Sequence, residues 1–432
     1  MGKQSARDVA RAVLAAFRRD GAWSDGCLKH ALKAADLEIR DAALATQLSY
    51  GVLQNRMLCD YYIAQCSSLK MNKIAPGILD ILRLGVYQLL FLERIPAHAA
   101  VNDAVSAARR NNPRAAGFVN AVLRKIDRER DSLKKPTDDA ILYSHPEWLV
   151  SLFKADYGDE TALKILNANN KTPQITARVN TLRATVEDCL KQMPDCERHP
   201  WLENCLILHH PGDIEQLAVY QNGMIQIQDP ASQLAALVSG ARPGMRVLDT
   251  CAAPGGKSFL LSQLLENQGE LISCDIHEHK LELINAGAKR LGISVLETRL
   301  QDAAEFSPDF ENGFDVVLSD VPCSGLGVIR KKADIRYKAR EAIEKLPELQ
   351  LAILKNSARY VKNGGILVYS TCTVCKAENE DVVTAFLKEH PEFELTKLNL
   401  PDVIGTRSGM ITFLPHEYDT DGFFICRMRR VV

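Results

Sequence analysis

Two cysteines sit where this chain could use them as nucleophiles: Cys323 in Asp320-Val321-Pro322-Cys323-Ser324-Gly325, and Cys372 in Ser370-Thr371-Cys372-Thr373. Each follows a predicted strand in the C-terminal half, near a glycine-rich loop that reads as a nucleotide-cofactor pocket. A thiolate held there can add to an electron-poor ring and turn it into a carbon nucleophile. Methylating carbon 5 of a cytosine needs such help, because that carbon is unreactive until a group adds at carbon 6 while ring nitrogen 3 is held protonated. A cysteine and a carboxylic acid suit those two jobs, and Asp320 would be the acid. After methyl transfer the proton on carbon 5 must leave so that the thiol can be eliminated, a step a second cysteine could assist. Pro322 fixes φ just before Cys323 and removes a donor, which stiffens the presentation of its neighbours.

The loop Cys251-Ala252-Ala253-Pro254-Gly255-Gly256-Lys257-Ser258 joins a predicted strand, Met245–Thr250, to a helix. Its small residues let backbone N–H groups approach a ligand closely. A P-loop would need glycine where Cys251 stands, and the dinucleotide fingerprint G-x-G-x-x-G is absent. The remaining reading is a loop holding S-adenosylmethionine, whose sulfonium and amino-acid end ask for tight backbone contact. Asp275, 24 residues after Cys251, is placed to accept the ribose hydroxyls. Asp302, after the next strand, is placed for the adenine amino group. Amino methyltransferases commonly carry Asp/Asn-Pro-Pro-aromatic where this chain has Asp320-Val321-Pro322-Cys323, a difference that favours carbon over nitrogen as acceptor. Cys372-Thr373-Val374-Cys375 also permits a redox or zinc reading, but no second ligand pair with metal spacing accompanies it.

A chain of 432 residues predicts two or three domains, and 46% hydrophobic with 25% charged residues allows ordinary globular cores. The net charge of −1 conceals an asymmetry: residues 1–130 carry 20 Lys/Arg against 12 Asp/Glu, the remainder 33 against 42. A basic segment fused to an acidic one points to a nucleic-acid partner, with a solvated helical surface as the competing explanation. Arg109, Arg110, Arg114 and Arg124 are candidate phosphate contacts. Twelve cysteines lack disulfide-like spacing, and Arg11, Arg18 and Arg19 interrupt the first apolar run. A reduced, cytoplasmic protein without a signal peptide is therefore expected. The apolar stretch Ile78–Leu92 contains Asp80 and Arg83 and reads as a buried helix, not a membrane span. Nothing calls for more than a monomer.

The elements that must position these residues fall into three groups. Residues 1–130 read as an all-α bundle, with helices at Arg7–Arg18, Arg40–Asn55, Ala75–Leu92, Ala99–Arg110 and Gly117–Arg128, and breakers at Gly21, Pro76, Pro96 and Pro113. A polar linker, Asp127–Asp139, leads to a small α+β unit over 141–235, with helical runs at Trp148–Tyr157 and Glu160–Ala168 and strands at Ile175–Val179, Cys205–Leu208 and Met224–Gln228. Residues 236–432 alternate strand and helix, which predicts an α/β Rossmann-like parallel sheet with helices on both faces. Its strands are Arg246–Thr250, Leu271–Asp275, Val295–Leu300, Asp315–Ser319 and Ile366–Ser370, with Gly422–Met428 as an edge strand. Every motif above then lies at a carboxyl strand end, where ligands collect in open α/β sheets.

With these residues in place, the C-terminal half resembles the Sun family of RNA cytosine-5 methyltransferases. The match rests on Cys251–Lys257, Asp320–Gly325, Ser370-Thr371-Cys372 followed by Glu378-Asn379, and Asp421-Gly422-Phe423-Phe424. Upstream, Ser144-His145-Pro146-Glu147-Trp148, Arg178-Val179-Asn180 and Gln228-Asp229-Pro230-Ala231-Ser232 extend it over roughly 141–432. Residues 1–130 look like the NusB-type RNA-binding bundle, especially at Val101–Val105 and Phe118–Leu123. The combination is similar to the bacterial RsmB (Sun/Fmu) branch, which implies a class I methyltransferase domain, S-adenosylmethionine as cofactor and a cytosine of 16S ribosomal RNA as target. From chemistry alone Cys323 would be the nucleophile, since Pro-Cys carries it in DNA cytosine methyltransferases. The resemblance instead implies that Cys372 attacks carbon 6 and Cys323 helps release product, with Lys257 near both base and cofactor. Val321 replaces the family's usual alanine, and Cys375 adds a thiol placed for an oxidative disulfide with Cys372. Two other functions stay open on the residues: a transfer-RNA methyltransferase, and a non-catalytic RNA-binding assembly factor.

Overall fold

The computed structural model describes residues 4–20 and 25–431, so the breaker expected at Gly21 lies outside the described residues. The chain forms two compact units, one of residues up to 170 with 331–338 and one of 171–330 with 339–432.

The first unit is helical. Helices at Ala6–Asp20, Ile39–Gln54, Pro76–Phe91, Ala97–Asn111 and Ala116–Arg128 correspond to the five expected, and Asp25–Ala35 and Arg56–Cys66 are additional. Pro76–Phe91 starts with proline at a position where the missing N–H costs nothing, and it is buried on nearly every side from Ile78 to Leu89. The two charges inside it are satisfied locally: Asp80 takes Arg18 and Arg83, and Arg83 Nε donates to Asp60 at 2.7 Å. A buried ionic group is tolerable only when partnered in this way. Gly51 lets the helices close, because a Cβ there would lie 1.9 Å from the Tyr87 ring. The two helical runs after the linker form one element, Glu147–Ala168, broken at Gly158 with φ of 77°. Segment 331–338 completes this unit: Arg336, fully buried, donates from Nη1 to the carbonyls of Gln54 (2.8 Å) and Ser144 (3.1 Å) and to Asn170 Oδ1 (3.0 Å).

The second unit holds two sheets. Strands β1 (Ile175–Val179), β2 (Cys196–Arg198), β3 (Cys205–Leu208) and β4 (Ile225–Ile227) make an antiparallel sheet in the order β2-β3-β1-β4. The larger sheet contains β5 (Arg246–Asp249), β6 (Glu270–Asp275), β7 (Leu296–Leu300), β8 (Phe314–Asp320), β9 (Val361–Thr371), β10 (Phe393–Leu395), β11 (Met410–Phe413) and β12 (Phe423–Arg430). Its order is β10-β12-β9-β8-β5-β6-β7, with β11 also on β12. Strands β7, β6, β5, β8 and β9 run parallel, and β12 pairs antiparallel with β9. The expected edge strand at Gly422–Met428 is therefore interior. Phe423–Cys426 is buried throughout, and β10 and β11 cover the side opposite β9. Strand order reverses between β5 and β8, the switch point where α/β sheets open a ligand crevice.

Candidate active site

The predicted site residues occupy the carboxyl ends of five neighbouring strands. Cys372 follows β9, Asp320 ends β8 with Cys323 beyond it, the loop Cys251–Lys257 follows β5, Asp275 ends β6, and Asp302 follows β7. Four strand spacings span about 19 Å, enough for a nucleoside cofactor beside a target base.

At the switch point the loop is held by backbone bonds from Ala252 N–H to the Cys274 carbonyl (2.8 Å) and from Gly255 N–H to the Ala252 carbonyl (2.7 Å). The Ala253-Pro254 peptide is cis. Gly255 has φ of +105°, and a Cβ on it would sit 2.4 Å from the Phe259 ring, so only glycine fits. It caps the helix Gly256–Leu264, whose first N–H groups have no intrahelical acceptor. Behind the loop, Arg178 Nη1 donates to the Gly256 carbonyl at 3.0 Å. Asn180 donates to the Leu291 carbonyl at 2.8 Å and accepts from Gln263 at 3.0 Å. The Arg178-Val179-Asn180 motif thus seats the smaller sheet against the cofactor loop.

Four predicted residues meet directly. Lys257 Nζ donates to Asp320 Oδ2 at 2.5 Å, and Ser370 donates to Asp320 Oδ1 at 2.8 Å. The ammonium lies 5.0 Å from the centre of the Phe423 ring, a cation–π distance. The sulfurs of Cys323 and Cys372 are 3.1 Å apart. The thiol hydrogen bond from Cys323 holds Cys372 below the ordinary cysteine range against its burial and the Asp320 charge, with the Lys257 ammonium assisting. The same bond, with burial and the charges of Glu378 and Asp320, keeps Cys323 protonated well above that range. Burial would lower Lys257, but the Asp320 charge and hydrogen bond more than offset this and raise it. Burial also pushes Cys251 up, leaving it a thiol.

Asp275 and Asp302 stand apart from this cluster. Asp275 Oδ1 accepts His277 N–H at 3.0 Å and has Lys280 at 3.6 Å. Asp302 Oδ1 accepts Ala304 N–H at 2.9 Å, a turn contact. Arg109, Arg110, Arg114 and Arg124 are exposed, Arg110 reaching Asp8 at 3.2 Å and Arg124 reaching Asn120 at 2.9 Å. Among the described residues no group of three or more His, Cys, Asp or Glu is arranged to hold a metal, and no helix is long and apolar enough to cross a membrane.

Two features escaped the sequence reading. Asp249 ends β5 beneath the loop, accepts Ser258 Oγ at 2.7 Å, and is pushed up to about 7 by burial, with the Asp320 charge adding to the rise. An acid closing the strand before a glycine loop was the available signal. Gly327 and Gly422 pack back to back: a Cβ on Gly327 would lie 1.9 Å from the Gly422 carbonyl oxygen. This contact lets Gly327 N–H donate to the Cys372 carbonyl at 3.0 Å. Asp275 at the end of β6 and Asp320 at the end of β8 stand on either side of the small-residue loop after β5. That arrangement suits a cofactor carrying positive charge on a sulfonium and an amino group, with a diol for Asp275 to accept.

Comparison with known proteins agrees over the whole chain. Residues 236–429 match the family described as 16S rRNA methyltransferase RsmB/F, residues 4–128 the NusB family, and residues 145–215 the ferredoxin-like domain of RsmF/B-like methyltransferases. The probable ribosomal RNA small subunit methyltransferase B of Bacillus subtilis is 40% identical over 447 residues, covering 100% of each chain. The crystal structure of PH0851 superposes with a TM-score of 0.82 at 28% identity over 98% of both chains. NSun6 from Pyrococcus horikoshii with SFG shares the fold, with a TM-score of 0.61 at 23% identity over 67% of this chain and 100% of that one. With its helical NusB domain, ferredoxin-like middle domain and parallel-sheet catalytic domain, this chain belongs to the RsmB/F family of 16S rRNA methyltransferases, enzymes that draw their methyl group from S-adenosylmethionine.

Proposed function

We propose that the protein methylates carbon 5 of a cytosine in 16S ribosomal RNA through a covalent bond between Cys372 and carbon 6. S-adenosylmethionine, when bound, supplies an electrophilic methyl group on its sulfonium. The backbone of Cys251, Ala252, Ala253, Pro254, Gly255, Gly256 and Lys257 would hold it, with Asp275 on the ribose, Asp302 toward the adenine and Asp320 beside the reacting centre. Cys372, favoured as thiolate, adds to carbon 6. Lys257 and Asp320 share a proton and hold it toward ring nitrogen 3, so that negative charge does not build on the ring. Once Cys372 is bonded to carbon 6 its charge no longer holds the proton on Cys323, which passes that proton to solvent; the Cys323 thiolate then takes the proton from carbon 5 as the carbon 6–sulfur bond breaks and Cys372 leaves as thiolate. Residues 1–130 and 141–235 grip RNA, and 236–432 carry the chemistry. The target must leave its stack to reach a site at the strand ends, which favours a loop or an unassembled subunit as substrate. The enzyme acts as a cytoplasmic monomer.

One observation carries this reading: two sulfurs 3.1 Å apart, with opposite tendencies to ionise, beside the Lys257–Asp320 pair. The test is a pair of variants assayed on 16S and transfer RNA. Cys372→Ala is expected to abolish turnover with no protein–RNA adduct, whereas Cys323→Ala stalls with RNA attached. The reverse pattern would exchange the two roles, and methylation of transfer RNA alone would replace the substrate.

A further inference from the structure

Glu378 and Asn379 are fully buried, adjacent in sequence, and touch both cysteine loops. Glu378 Oε2 accepts Ser324 N–H at 2.8 Å and Gln350 Nε2 at 2.9 Å. Gln350 Nε2 also donates to the Pro322 carbonyl at 3.0 Å, so the peptide groups on both sides of Cys323 are held by one carboxylate–amide pair. Asn379 grips the other loop through one side chain and one carbonyl. Its Oδ1 accepts Thr371 Oγ1 at 2.6 Å and its Nδ2 donates to the Thr373 carbonyl at 3.0 Å, bracketing Cys372. The grips are joined by a 2.8 Å hydrogen bond between Ser324 Oγ and Thr373 Oγ1, and Tyr369 pins the Glu378 carbonyl at 2.6 Å.

Neighbouring strands lie about 4.8 Å apart, so strand pairing alone does not bring two side-chain sulfurs to 3.1 Å. The loops beyond β8 and β9 must be fixed against each other. A buried carboxylate and amide with their hydrogen bonds made can supply that rigidity, because breaking any one bond would strand a polar group away from water.

We propose that Glu378-Asn379 is a two-part positioning clamp for the reaction, in which Glu378 sets the Cys323 loop and Asn379 sets the Cys372 loop. The proposal deepens the covalent mechanism above and rests on it for the meaning of each loop. Neither residue touches the reacting base; each acts through a cysteine.

The experiment compares Glu378→Ala and Asn379→Ala with Cys323→Ala and Cys372→Ala in the full-length enzyme on 16S RNA. It measures turnover, trapped protein–RNA adduct on denaturing gels, cofactor affinity and thermal midpoint. Glu378→Ala is expected to mimic Cys323→Ala, with turnover down about tenfold or more and adduct accumulating. Asn379→Ala is expected to mimic Cys372→Ala, with a similar loss and little adduct. Cofactor affinity stays within about twofold in both, and Glu378→Gln, which keeps an acceptor oxygen, recovers much of the turnover. A merely structural role would depress adduct formation and release alike. Should Glu378→Ala not fold, Gln350→Ala loosens the same grip and must also accumulate adduct. Folded Glu378 and Gln350 variants with wild-type partition between adduct and product overturn the clamp. If the cysteine variants themselves reverse, the chemical roles exchange, but Glu378 must still follow Cys323 and Asn379 must still follow Cys372.

Discussion

The Cys323 and Cys372 sulfurs lie 3.1 Å apart, and in the ionised pair the Cys323 thiol stabilises negative charge on Cys372 while keeping its own proton. A hydrogen bond to an ionised group is stronger than one between neutral groups and so favours the ionised form. Alkylation of Cys372 by iodoacetamide, followed against pH by mass spectrometry, should therefore show a midpoint below that of an ordinary cysteine. Cys323→Ala should move the midpoint upward; an unmoved midpoint would mean that the sulfurs do not share a proton. Asp249 gives a second pH signature with a different sign. Its ordinary value is 3.8, and burial lifts it to about 7 in the folded state. Between those values the folded protein keeps a proton that the unfolded chain has released. Stability from this group is complete below the unfolded value and is lost as pH rises toward 7, by up to roughly 4 kcal/mol. Asp249→Asn removes the titration, so its melting temperature relative to wild type should improve from pH 5 to pH 8. A constant difference would show that Asp249 ionises normally in the fold.

Strand ends bring these side chains together, and loop packing fixes their separation. Gly327 carries that packing for Cys372: its N–H holds the Cys372 carbonyl, and its missing Cβ makes room for the Gly422 carbonyl. Gly327→Ala should cost about 1–3 kcal/mol through forced backbone movement. Gly117→Ala, at a helix start with nothing within 4 Å of the new Cβ, should be neutral or slightly stabilising. Urea unfolding of the two variants separates close packing from a general glycine effect, and equal midpoints would refute it. The sequence revealed which motifs end strands, because Asp275, Asp320 and the Cys251 loop each follow a β-branched or leucine-rich run. It did not reveal their neighbours. Helix Arg56–Cys66 was hidden because its buried stripe is Cys59, Ile63 and Cys66, and cysteines carry a weak hydrophobic signal. Helix Asp25–Ala35 was hidden because its stripe is thin, with Leu28 and Ala35 the buried apolar residues. The interior place of β12 depends on β10 and β11, two short strands with little pattern of their own. Glu378-Asn379 was visible as a motif, but its role needs the two loops it joins, which are about fifty residues apart in sequence.

At the scale of the molecule, chain connectivity links the first unit to the catalytic loops. After the Cys323 loop the chain leaves the second unit at Arg330, contributes residues 331–338 to the first, and returns at Ala339. Within the first unit Ala333 joins the helical core, Tyr337 donates to the Leu53 carbonyl at 2.8 Å, and buried Arg336 relies on neutral oxygens that include the Gln54 carbonyl. Removing Gln54 and the helical core around Ala333 and Tyr337 takes away one acceptor of Arg336 and the cover of its neighbours, which loosens this segment even though Ser144 and Asn170 still hold the guanidinium. The bundle is therefore a structural support for segment 331–338 as well as a candidate RNA grip. A fragment of residues 131–432 lacks Leu53 and Gln54 but retains every motif of the catalytic sheet. Its amides over 331–338 should lose protection in hydrogen exchange, while β5, β6 and β8 remain protected. Wild-type exchange over 331–338 in the fragment would show that this segment keeps its fold without the helical core.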